Sequence, residues 1–168
     1  EASLAGANLS GANLSEARLS GASLYGARLS GANLYEAKNI SKFLTTPLLS
    51  MLDQPGPIRA YKIVTAAGEG IYSRANGYKP VNYLAAETFE FPNADTDDTI
   101  QCAAGGNLAT LDWCMREWQP GYRILVMEFT AGDIAAIPTA TDGKFRVKRC
   151  KRVGEKDLKE LGLVKEKN

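Results

Sequence analysis

The chain has 168 residues, 45% of them hydrophobic, and a formal net charge of +1. It is long and apolar enough for a folded core and has no global attraction to polyanions. The lack of histidine removes histidine triads and histidine-ligated zinc, while Cys102, Cys114 and Cys150 are odd in number and lack metal-binding spacing, so reduced thiols are expected.

The amino-terminal tract is a ladder. Leu4, Leu9, Leu14, Leu19, Leu24, Leu29 and Leu34 recur at a spacing of five, each with an alanine two positions before it, from Ala2 to Ala32. Two positions after each leucine stands Gly6, Gly11, Glu16, Gly21, Gly26, Gly31 or Glu36. An α-helix would turn each leucine by about 140° from the last, and a strand would send alternate leucines to opposite faces. The chain must therefore turn once per repeat, with glycine easing the turn and neighbouring units stacked to bury the leucines.

This tract resembles the pentapeptide-repeat family, in segments such as Ala7-Asn8-Leu9-Ser10-Gly11 and Ala27-Arg28-Leu29-Ser30-Gly31. The resemblance implies a right-handed quadrilateral β-helix, the leucines and alanines inward. Residues twenty apart would stack, Leu4 on Leu24, Leu9 on Leu29 and Leu14 on Leu34, in about two coils over residues 1–40. Family members that mimic DNA are long and acidic; this short tract has Glu1, Glu16 and Glu36 against Arg18, Arg28 and Lys38, so mimicry is not expected. The ladder is already in register at Glu1-Ala2-Ser3-Leu4. That suggests a processed chain or a segment of a longer solenoid, its open end implying a missing segment, a protein partner or a second copy.

Asn39 occupies a leucine position and ends the ladder. Thr46-Pro47 is a helix start, threonine as N-cap and proline at the first position. With Leu48, Leu49, Met51 and Leu52 it predicts a short helix that covers the last coil, residues 41–57 being cap and linker. Ile58–Val64 reads as a strand by length and β-branching. Gly68 and Gly70 mark a turn, and 73–80 is a loop. Phe89 and Phe91 share one face of the next extended stretch. Residues 85–100 carry Glu87, Glu90, Asp95, Asp97 and Asp98 without a base.

Gly105-Gly106 predicts a bend and Asn107 a helix N-cap, with Leu108, Leu111, Met115 and Trp118 as the apolar stripe and Cys114 widening it. Tyr122 to Phe129 predicts a central strand. Ile134 to Pro138 is a short strand, Asp142-Gly143 a hairpin-type turn, and Lys144 to Cys150 a strand with Phe145 and Val147 inward and Lys144, Arg146 and Lys148 outward. Glu155 to Leu161 predicts a final helix closed by Gly162. The order implies a small α+β domain over 58–168 with a mostly antiparallel sheet. Arg59-Ala60-Tyr61-Lys62, Cys102-Ala103-Ala104-Gly105, Gly121-Tyr122-Arg123-Ile124-Leu125 and Lys144-Phe145-Arg146-Val147 resemble a poorly characterised domain of phage and prophage proteins. That likeness implies a bacterial cytoplasm and assigns no residue a role.

Tyr61, Lys62, Tyr72, Arg74, Tyr78 and Lys79 mix aromatics with cations, a pattern that suits a phosphate, nucleotide or protein partner and equally a hairpin lining. Glu128 interrupts an apolar strand; it has either a sheet-edge or ion-pair role, or is a candidate general acid or base. Asp95, Asp97 and Asp98 lack the glycine and distal glutamate of a calcium loop. Gly105-Gly106 lacks the lysine and hydroxyl of a P-loop. Cys102 and Cys114 read as small buried hydrophobes. No cofactor, metal or membrane span is expected. The basic segment 144–168 holds ten basic residues against four acidic ones, and reads as a solvated face before a nucleic-acid surface. The expected function is noncatalytic, a solenoid stalk carrying an α+β interaction module; the alternative is a nucleotide-binding or enzymatic domain using the 61–79 loops and Glu128.

Overall fold

The computed structural model describes residues 3–20, 22, 24, 27–29, 31–38, 46–72, 79–139 and 141–164. In the repeat tract each turn closes with a bond from an alanine amide to the leucine carbonyl three residues earlier, from Ala7 to Leu4 through to Ala37 to Leu34. Residues twenty apart pair in parallel: Asn8 with Arg28, Asn13 with Asn33 and Arg18 with Lys38. The third turn residue needs a left-handed backbone, which Gly6, Gly11 and Gly31 adopt without strain. Glu16 and Glu36 adopt it too, at φ 60° and 54°, which costs an L-residue about 1 kcal/mol each.

The leucines are inside. Leu24, Leu29 and Leu34 are buried, with Leu4 against the cluster of Leu24, and Leu9 and Leu14 against that of Leu29 and Leu34. Leu24→Asp places an unpaired charge in that stack and should cost several kcal/mol. Amide exchange across 3–38 measures it; protection equal to the parent's would show that Leu24 bears no load.

The point where the ladder ends, Asn39, lies outside the described residues. From Pro47 to Asp53 the chain forms a 3-10 helix; the Thr46 side chain accepts from the Leu48 amide at 3.2 Å. Its partly buried Leu48, Leu49 and Met51 pack against the sheet core that follows.

Among the described residues that sheet has seven strands: β1 (Ile58–Val64), β2 (Thr88–Glu90), β3 (Gly106–Ala109), β4 (Arg123–Phe129), β5 (Ile134–Ala136), β6 (Lys144–Val147) and β7 (Arg149–Glu155). Their order is β2-β7-β4-β1-β3-β6-β5, with every pairing antiparallel. Strand alternation splits the core into two layers. Leu125, Met127 and Phe129 of β4 join Ala60, Val64, Leu108 and Phe145 on one face. On the other face, Ile124 joins Ile63, Trp113 and Cys114. Each fully buried large side chain contributes about 2 kcal/mol of transfer free energy.

The antiparallel sheet is as expected, but the helical share of the α+β expectation is not. The only α-helix among the described residues is α1 (Leu111–Arg116). The helix expected from Asn107 starts later, because Gly106–Ala109 pairs with β6 from Gly106↔Val147 to Ala109↔Lys144. The expected stripe is thereby divided: Leu108 belongs to one core layer, and Leu111, Met115 and Trp118 to the other. The expected terminal helix is also absent. β7 runs on to Glu155, where Arg123 Nε donates to Glu155 Oε1 at 2.9 Å, and turns follow that place Leu158, Leu161 and Leu163 on the α1 side. The single strand expected from Lys144 to Cys150 is two, parted at Lys148, whose amide donates to Asp133 O.

Arg146 overturns its expected outward placement most sharply: it is fully buried. Its Nε donates to Asp95 O at 3.0 Å, one terminal nitrogen to Ile100 O at 2.6 Å and the other to Asp97 O. The acidic loop folds over β6 and offers its backbone carbonyls, so both faces of that strand are covered. Among the described residues no helix is long and apolar enough to cross a membrane.

Candidate functional site

β1 and β3 are neighbours that pair at only one position, Tyr61↔Ala109. Beside it a cavity of about 240 Å³ is lined by residues 61–63 of β1 and 107–109 of β3. Without a longer ladder, backbone groups there need other partners. The Asn107 carbonyl finds one in Lys62, whose Nζ donates to it at 2.7 Å.

Lys62 is held in a poor environment for a charge. Its ammonium lies 4.9 Å from the centroid of the Tyr83 ring, and no carboxylate pairs with it among the described residues. A single carbonyl and a ring face replace its water shell incompletely, so burial pushes its pKa down to about 8. Asn107 carries a second unusual group. Its Nδ2 donates to Ala103 O at 2.9 Å and to Gly105 O at 3.3 Å, whereas its buried Oδ1 has no partner among the described residues. Gly106 allows the close approach of this wall: a Cβ there would meet Phe91 Cε2 at 2.5 Å.

The opposite wall comes from α1 and the 70–72 turn. Trp113 is buried, its Nε1 donating to Asp142 Oδ2 at 2.9 Å, with the Lys144 ammonium 5.2 Å from its ring centroid. Tyr72 meets Trp113 edge-on, with centroids 6.3 Å apart. The Tyr72 hydroxyl donates to Glu117, and that bond, ahead of burial, pushes its pKa up to about 12.

Of the residues nominated from sequence, Tyr61, Lys62, Tyr72 and Lys79 all line this cavity, Tyr72 and Lys79 as exposed residues. Arg74 and Tyr78 lie outside the described residues. Glu128 is elsewhere: on β4 it accepts from Arg59 Nε at 3.2 Å, the ion-pair reading of that residue. Cys114 is fully buried, and burial pushes its thiol up to about 12, which makes it inert. Cys102 is only half-buried and forms part of the cavity wall. Sequence reasoning missed Tyr83, Asn107, Trp113 and Lys144 as lining residues. Trp113 sits off the apolar stripe of its helix, and strand alternation puts Lys144 on an outward face.

Asp95 and Asp97 are engaged locally, Asp95 Oδ1 accepting from the Asp97 amide and Asp97 Oδ1 from Thr99, each at 2.8 Å. Among the described residues no group of three or more acidic, cysteine or histidine side chains gathers as a metal site would.

Comparison with known proteins places 8 pentapeptide repeats in residues 1–38, by a match to the family model of that name. The match does not extend to the sheet. No curated protein and no solved structure matches the chain.

Proposed function

We propose that this protein is a binding module: a pentapeptide-repeat scaffold carrying a sheet domain that receives a small ligand between β1 and β3. The scaffold is read as a right-handed quadrilateral β-helix of about two coils over 1–40, followed by a linker over 41–57 and the ligand-receiving domain over 58–168. Support for the first part is the repeat match together with the parallel pairing of residues twenty apart. The observation that carries the second is the convergence of Tyr61, Lys62, Tyr72 and Lys79 on one mostly apolar cavity with a few polar groups, the usual make-up of a ligand site.

Glu128 lends no support to an enzymatic reading, being paired with Arg59 away from the cavity. Contact with a protein partner or a second copy through the repeats belongs to the same proposal, as does a phage or prophage origin, which rests on the sequence resemblance alone. Ligand-observed magnetic resonance with a fragment library of neutral and charged members tests the central claim. Hits should shift the amides of Tyr61, Lys62 and Trp113, and a screen with no hit mapping to those residues would sink it.

A further inference from the structure

We propose that the cavity selects small aromatic anions, with Lys62 as the counter-charge at its wall. This inference rests on the ligand-binding reading and gives it a chemical class. The described lining includes Lys62, Lys79 and Lys144 and not one aspartate or glutamate, in a chain whose overall charge is only +1. A concentration of one sign of charge against low-dielectric walls attracts and holds the opposite sign.

The rest of the lining describes the body of the ligand. Tyr61, Tyr72, Tyr83, Phe91 and Trp113 supply five aromatic rings, which favour a flat apolar partner. Size sets the limit: an apolar cavity of roughly 150 Å³ holds benzene, so about 240 Å³ suits a ring system somewhat larger, such as a fused pair. Lys62 uses one N–H on the Asn107 carbonyl and keeps donors for an incoming carboxylate. The charge penalty that lowers its pKa is relieved once an anion supplies the missing partner. Asn107 Oδ1, without a partner among the described residues, offers an acceptor to any donor the same ligand carries.

The test compares 2-naphthoate with its near-isosteric neutral amide, 2-naphthamide, by titration calorimetry on the full chain. The anion should bind about tenfold tighter or more, as expected of a charge-assisted bond in a desolvated site. Its affinity should fall as salt is raised while that of the amide stays level. Lys62→Met should remove most of the anion's advantage, Lys79 and Lys144 remaining; if that variant fails to fold, the salt dependence measured on the parent decides. Equal affinities without salt dependence overturn the inference and leave the ligand-binding reading standing. Binding of neither probe also overturns it, and an empty fragment screen would take the reading down as well.

Discussion

Arg146→Met should destabilise the sheet domain by about 3–5 kcal/mol, because three backbone carbonyls lose their charged donor at once. The guanidinium is fully buried and spans the carbonyls of Asp95, Asp97 and Ile100. Without it those carbonyls are stranded at about 1–3 kcal/mol apiece wherever water cannot replace it. Arg146→Lys should recover less than half of the loss, because an ammonium cannot reproduce a planar fork aimed at three acceptors. Urea unfolding gives the energies. The same segment continues into residues 102–105 of the cavity wall, so amide exchange from 95 to 105 should rise in both variants. A methionine variant within about 1 kcal/mol of the parent would show that the loop is held by something other than Arg146.

The second large effect belongs to Lys62, and it is a matter of pH. Its folded pKa of about 8 lies below the 10.5 of an ordinary solvated lysine. Below the folded value both states carry the charge, and folding bears the full cost of burying it. Across the window from about 8 to 10.5 the unfolded chain still holds the proton that the folded chain has released, so this group's contribution to stability rises with pH. Lys62→Met removes that dependence. The stability of the variant relative to the parent should therefore be greater near pH 7 than near pH 10 by about 2 kcal/mol. Cys114 and Cys150, which burial pushes up to about 12, act in the opposite direction but are present in both proteins and largely cancel in the difference. Parallel stability curves for parent and variant would show that the Lys62 ammonium is better solvated than its surroundings indicate.

Local signals were legible in the sequence wherever local physics decided the outcome. The leucine ladder needs a turn in every repeat, and the turns are there. Ile58–Val64 has the expected limits, and Arg123–Phe129 lies between β7 and β1 with its alternation intact. Four neighbouring candidates, Tyr61, Lys62, Tyr72 and Lys79, reach one cavity because strand β1 and the turns after it carry them together. What escaped depended on contacts distant along the chain. Gly106–Ala109 is a strand because β6, almost forty residues later, pairs with it, against the local preference of a glycine pair followed by asparagine. Arg146 obeys alternation, yet the side it faces is covered by a loop that the sequence marks only as acidic and polar. Trp113 and Lys144 meet for the same reason, the hairpin turn at 142–143 coming to rest on α1 through Trp113 Nε1 and Asp142.

The placement of the tryptophans sets one apart from the other as a reporter for the proposed ligand. There are 2 in the chain. The Trp118 indole donates to Tyr122 O at 3.0 Å and is not part of the cavity, whereas Trp113 lines it beneath a lysine ammonium and the edge of Tyr72. An indole's excited state responds to the field across its ring, and here a cation near that ring borders the space a ligand would enter. A ligand entering the cavity should therefore shift the emission of Trp113 while that of Trp118, outside the lining, changes less, an expectation that ultraviolet fluorescence can check without a label.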